Sequence, residues 1–266
     1  MLFAGLVVLA VAFLSYGRAL SRRLGVLCVG LATFAAGYLL TGSLLAGLAC
    51  ASGWLLLPWL EILLRVRRLR LPLRRFLSQK APPSRDSFPE LGVLSDEIEA
   101  AGFEHVADLG WETDGYRQFL RLYASPERRA EAAIAHVEHD GLGFHFTRLT
   151  SRAASGEVYM TWNCPVSQSL KIPPGVRLHR ASGQAFGSMV DEHAQFLGRS
   201  GCAVDGVLAV DPDNVRASVE GDMEAQMRHN LTEGVLEAAD DSHGRYSWRG
   251  MLFLWVQALR DIFRAF

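Results

Sequence analysis

Charge is almost missing from the first 64 residues. Up to Leu64 the only charged side chains are Arg18, Arg22, Arg23 and Glu61, whereas an ordinary soluble domain carries about a quarter of its residues charged. That absence excludes a water-exposed N-terminal domain. Cysteine is scarce: Cys28 and Cys50 lie inside apolar runs, and Cys164 and Cys202 stand far apart with no CxxC spacing. A disulfide framework and a zinc ribbon are thereby excluded, and no metal is expected. The chain also lacks an excess of positive charge. Its formal net charge is −1 and its pI near 6.7, with a basic block at 65–75 and an acidic block later, so the basic face of a nucleic-acid binder is absent. Three signatures are missing as well: a Walker A loop, a GxGxxG between strand and helix, and a GxSxG elbow. Without them the sequence names no cofactor and no reaction.

What is present is apolar sequence. Runs at 1–17, 24–40 and 44–64 reach or exceed the ~17 residues that a bilayer core demands, and they predict three transmembrane helices. The first has no positive n-region and no small-x-small cleavage site, so a retained helix is expected rather than a signal peptide. Arg65, Arg67, Arg68, Arg70, Arg74 and Arg75 follow the third run at once, Arg18, Arg22 and Arg23 separate the first two, and the Thr41-Gly-Ser43 turn is uncharged. Under the positive-inside rule this places the N-terminus outside and the rest of the chain on the cytoplasmic side of a bacterial inner membrane, as a multi-pass protein. Thr33 with Gly37, and Ser43 with Gly47 and Ala51, form rows of small residues at four-residue spacing that let two helices approach closely. Glu61 is the one acid in these runs and sits one turn before Arg65, which predicts an ion pair at the helix end. The basic segment 65–80, with Leu69, Leu71, Leu73, Phe76 and Leu77 between its arginines, has the composition of a stretch lying on anionic headgroups.

A linker at 81–87 contains consecutive prolines, which exclude helix. Ser87-x-x-Glu90 then predicts a helix start, with Leu91, Leu94, Ile98 and Ala101 on one face. Alternating segments follow at 104–111, 116–124, 130–138, 142–151, 156–163 and 176–181, broken by turns such as Thr113-Asp-Gly115 and His139-Asp-Gly141. Short connections predict an antiparallel meander. Phe186, Met189, Val190, His193, Phe196 and Leu197 predict a second helix. The expectation for 88–200 is a cytoplasmic α+β domain with helices on one sheet face and the other face open or covered by a partner. In 201–245 a strand is expected near 204–210. A polar helix over 214–239 follows, in a segment where Asp211, Asp213, Glu220, Asp222, Glu224, Glu233, Glu237, Asp240 and Asp241 oppose only Arg216 and Arg228. Residues 246–266 read as an amphipathic helix, with Leu252, Trp255, Val256, Leu259, Ile262, Phe263 and Phe266 on one face and Arg260 and Arg264 on the other. Such a helix suits the headgroup layer or the membrane helices themselves.

Candidate chemistry is thin. His136, His139, Asp140 and His145 resemble metal ligands by type, but strand parity points His136 and His139 apart. Cys164, beside Pro165 at a strand end, is a candidate nucleophile with His145 or His179 as its base. The membrane-surface candidates are Arg65, Arg67, Arg68, Arg70, Arg74, Arg75, Trp255, Arg260 and Arg264. The 245–250 stretch Arg-Tyr-Ser-Trp-Arg-Gly, Phe253-Leu-Trp255 and the Phe88-Pro-Glu-Leu91 helix start resemble segments of uncharacterised bacterial membrane-anchored proteins, and that resemblance implies no activity. The expected role is an adaptor, sensor or complex subunit at the membrane surface, with lipids and a protein partner or a second copy as its contacts. Alternatives are an enzyme acting on a lipid or small molecule, and a transporter subunit resting on Glu61.

Overall fold

The computed structural model describes residues 5, 19–74, 76–113, 116–139, 142–183, 185–202 and 204–265. Helices α1 (Ala19–Thr41) and α2 (Leu44–Leu64) form a hairpin. Gly42 closes α1 in the left-handed region at φ 69°, its N–H reaching Tyr38 O at 2.7 Å. Close packing follows from two glycines. A Cβ on Gly37 would lie 2.8 Å from Ala46 O, and one on Gly47 2.9 Å from the Phe34 ring.

The expectation of three membrane-spanning helices is overturned. The first apolar run lies outside the described residues apart from Gly5, and among those described no single helix is long and apolar enough to cross a membrane. The continuous apolar part of α1 is Leu27–Thr41, and α2 is broken into Leu44–Gly53 and Pro58–Arg68, which meet at 52°. Pro58 supplies the reason, because it lacks the N–H for the preceding turn and its ring crowds the carbonyl four residues back. Counting residues along 44–64 had treated a bent element as a straight one. Only the two pieces of α2 taken together have the length and composition of a span.

The remainder is α+β. Among the described residues ten strands form two sheets. The large one runs in the order β2 (Ser78–Gln79), β3 (Glu104–Thr113), β4 (Tyr116–Ser125), β5 (Ala130–His139), β6 (Leu142–Arg152), β7 (Val158–Trp162) and β8 (Val176–Arg180). Neighbours from β2 to β7 are antiparallel. The last pair departs from the expected meander, since β8 lies parallel to β7 with Met160 opposite Leu178. A parallel neighbour needs a crossover, and residues 163–175 provide it as a loop.

Both sheet faces are covered by the chain's own helices, whereas the second face was expected to be open or covered by a partner. Alternation along β4 sends Phe119 and Tyr123 to one side, where they meet Ile98 of α3 (Leu91–Ala100) and Phe186 and Met189 of α4 (Phe186–Arg199). Leu120, Leu122 and Ala124 go to the other side, against Val215 and Val219 of α5 (Val215–Thr232). The acidic helix therefore spends its apolar edge on the sheet. It is also shorter than expected. Beyond Thr232, β9 (Leu236–Ala238) and β10 (His243–Tyr246) pair with β1 (Leu71–Pro72) in a small sheet of order β1-β10-β9. The basic segment is thus tied into the fold at β1. The expected strand near 204–210 is reduced to a 3₁₀ turn, Val204–Gly206, and one bridge between Ala153 and Val207.

Helix α6 (Trp248–Ala265) docks on the hairpin base. Trp59 of α2 lies 6.4 Å from Trp248 and 5.9 Å from Trp255 between ring centres. Ile62, Leu71, Leu170, Met227, Tyr246 and Met251 complete a third core that joins hairpin, small sheet, α5 and α6.

Candidate functional site

The crossover loop creates a cavity. Strand alternation places Phe144, Phe146 and Arg148 of β6 on the α5 side of the large sheet, beside Val137 of β5, Met160 and Trp162 of β7, and Val176 and Leu178 of β8. Loop 163–175 passes over these residues, and Asp222, Met223 and Gln226 of α5 form a second wall. Leu69, Leu71 and Tyr246 close the side next to the hairpin base. The enclosed volume is about 360 Å³, at the lower end of the usual range for small-molecule sites.

The loop is held at three points. Asn230, fully buried in α5, accepts from Lys171 N–H at 2.8 Å and donates to Lys171 O at 2.8 Å, an amide pairing that copies a strand contact. Asp261 of α6 accepts from Ser167 N–H at 2.7 Å and from its hydroxyl at 2.5 Å. The Tyr246 hydroxyl donates to Ser169 O at 3.1 Å, and Leu170 is buried below.

One cation in this lining stands apart from the bonded cluster. Arg152 donates to both oxygens of Asp222 at 2.9 and 2.7 Å and to both of Glu131 at 3.3 and 3.4 Å. Arg148, two steps along the same face with Thr150 between, has no hydrogen bond or ion pair among the described residues. Its half-exposed surface belongs to the cavity wall; burial among protein atoms lowers its pKa, against the opposing fields of Asp222 and Glu131. A guanidinium stays protonated even so. Burial likewise pushes the Glu131 carboxyl up. Arg148 does not stand out in the sequence while its face is expected to be open or covered by a partner, where an arginine needs no explanation. The available signal was its parity with Phe144 and Phe146.

The structure does not assemble the residues singled out from sequence. Cys164 borders the cavity, but it is buried and burial raises its thiol pKa; its carbonyl accepts from Arg180. His145 lies on the opposite face of β6, stacked at 4.6 Å on Phe88. His179 sits 3.1 Å from Glu192 Oε2, whose carboxyl is held down to about 2 chiefly by the Ser182 hydroxyl. His136 pairs in register with His145 and stacks on Phe88 at 4.9 Å; the His139 side chain and Asp140 lie outside what is described. No group of three or more His, Cys, Asp or Glu could hold a metal among the described residues. A second hollow, about 500 Å³, borders His136, but its charges are mutually engaged in Lys80–Glu112 and Arg117–Glu138 pairs.

The collar is distributed along the hairpin base. Glu61 Oε1 lies 4.0 Å from Arg65 Nε, both side chains exposed. Arg67 stacks on the Trp248 ring at 5.4 Å, Arg70 reaches Asp240 at 3.4 Å, and Arg68, Arg74 and Arg260 are exposed. Arg75 and the Arg264 side chain lie outside the described set.

No protein-family model matches this chain, and no curated protein or solved structure matches it. Function is argued from the site.

Proposed function

We propose that this chain is a binding module held at a lipid surface, a sensor or subunit rather than an enzyme. The observation that carries this is the extent of exposed apolar surface on the hairpin. Leu39 is 69 % exposed, Leu40 86 % and Leu45 78 %, and Leu27, Leu31, Leu44, Leu48, Leu56, Leu60 and Leu64 are also exposed. Patches of this extent on a protein surface mark membrane or protein contacts. Trp248, Leu252 and Val256 of α6 are exposed too, on the helix that docks at the hairpin base, and Arg68 and Arg74 are exposed in the segment that follows it. Insertion of the bent hairpin would set these arginines at headgroup depth, which suits the anionic cytoplasmic leaflet of a bacterial inner membrane. A sensor also needs somewhere to bind, and the cavity supplies a site with largely apolar and aromatic walls.

Vesicle flotation tests the reading. The full chain should rise with phosphatidylglycerol-containing vesicles and resist extraction by alkaline carbonate. Substituting Arg68→Gln and Arg74→Gln together should weaken partitioning by at most roughly thirtyfold, since each arginine contributes on the order of 1 kcal/mol. A chain that stays monomeric in buffer and ignores vesicles would sink the proposal.

A further inference from the structure

We propose that the cavity under loop 163–175 binds a monoanionic carboxylate carrying an apolar body, with Arg148 as the anion anchor. The walls define the body. Phe144, Phe146, Met160, Trp162 and Leu178 offer apolar and aromatic surface, which favours a hydrocarbon chain or ring over a sugar or nucleotide. Arg148 defines the head. Its planar guanidinium presents donors in a fork that fits two carboxylate oxygens, and no described residue hydrogen-bonds to it, because Asp222 and Glu131 bond to Arg152. The two arginines and two carboxylates of the cluster sum to zero, so a ligand with the least negative charge is favoured. Asp222 lines the same space, so a phosphomonoester dianion would meet repulsion that a carboxylate meets only in part.

The position suggests the source. Leu69 and Leu71 border the cavity immediately after the hairpin, while Arg70 between them turns out to Asp240. A fatty acid leaving the lipid surface would therefore find an apolar lining continuous with the hairpin base. This inference names the ligand of the binding module proposed above and rests on that reading. Its test is a titration that does not score membrane attachment, so the two can fail separately.

The full chain in phosphatidylcholine nanodiscs, with empty discs as the blank, is titrated calorimetrically with decanoate, decanamide and 2-naphthoate. Decanoate should bind at least tenfold more tightly than decanamide. Arg148→Gln should remove that preference, and Arg148→Lys should restore part of it. Met160→Trp, which fills the cavity from β7, should abolish binding of both decanoyl probes. Equal affinity for decanoate and decanamide in the unaltered protein, or no binding of either, overturns the proposal whatever the variants do. Undiminished binding in Met160→Trp overturns the location. Decanoate tighter than 2-naphthoate supports a lipid acyl chain; the reverse order overturns that source and supports a soluble aryl acid.

Discussion

Among the histidines, His193 shows how a titratable group can be consumed by structure. It is buried in α4 between strands β6 and β7, with Nδ1 2.8 Å from the Thr161 hydroxyl and Nε2 3.0 Å from the Ser151 hydroxyl. Ser151 donates its own proton to Arg129 O at 3.0 Å. Nε2 must then carry hydrogen and donate to Ser151, leaving Nδ1 to accept from Thr161. Ser151 is thus no activated nucleophile. Desolvation holds the imidazole pKa down to about 4, so the folded state prefers neutral His193 while the unfolded chain protonates near 6.5. The contribution is full above pH 6.5 and is lost as pH falls from there to about 4, at most roughly 3 kcal/mol. Thermal melts of the full chain in detergent micelles from pH 7 to 4 should show this loss, and His193→Gln should be less stable at pH 7 with a flatter acid limb. An unchanged slope in the variant would assign the acid loss elsewhere. Arg148 makes the opposite point. In sequence it is one of twenty-seven lysines and arginines, and Arg117, exposed on β4 and paired with Glu138, shares the same alternation with a phenylalanine two residues away.

At the scale of elements, legibility followed pattern length. Strands β3 to β6 were readable because ten or more residues alternate between turns, and the helices α3 and α4 because their apolar residues recur at helical spacing. The small sheet was not, since β1, β9 and β10 hold only two to four residues each, too few for a period to show. Its turn was nevertheless visible in chemistry. Asp240 accepts from Ser242 N–H and His243 N–H at 2.8 Å, the kind of local bond that ends helices. The parallel β8 was missed because pairing direction depends on where loop 163–175 is tied, and the ties come from α5 and α6, far along the chain. Asn230→Ala removes the main one. It leaves Lys171 N–H and O without their partners at a half-buried position, at a cost of about 2 kcal/mol, toward the low end for two lost bonds. Thermal unfolding should register that loss, and hydrogen exchange should accelerate at Lys171 while β4 and β5 keep their protection. Uniform acceleration would mean that Asn230 supports the whole domain instead.

Across the whole molecule, the hairpin and the cavity share one helix. The aromatic cluster of Trp59, Trp248 and Trp255 fixes α6 to α2, and Asp261 near the other end of α6 fixes Ser167 in the loop over the cavity. Movement at the hairpin base is therefore linked to the loop through ring contacts at one end of α6 and hydrogen bonds at the other, and coupling of this kind is demonstrated only when both ends respond to one perturbation. Trp59→Ala supplies it. Edge-on aromatic pairs contribute about 0.5–1.5 kcal/mol beyond their burial, and truncating a half-buried tryptophan also opens a void, so α6 should loosen without unfolding the large sheet. If α6 carries the connection, hydrogen exchange in nanodiscs should quicken both in α6 and around Ser167, and the added effect of Asp261→Asn in the Trp59→Ala background should be smaller than in the unaltered chain. Strict additivity of the two substitutions would show that the hairpin and the loop are held independently of each other.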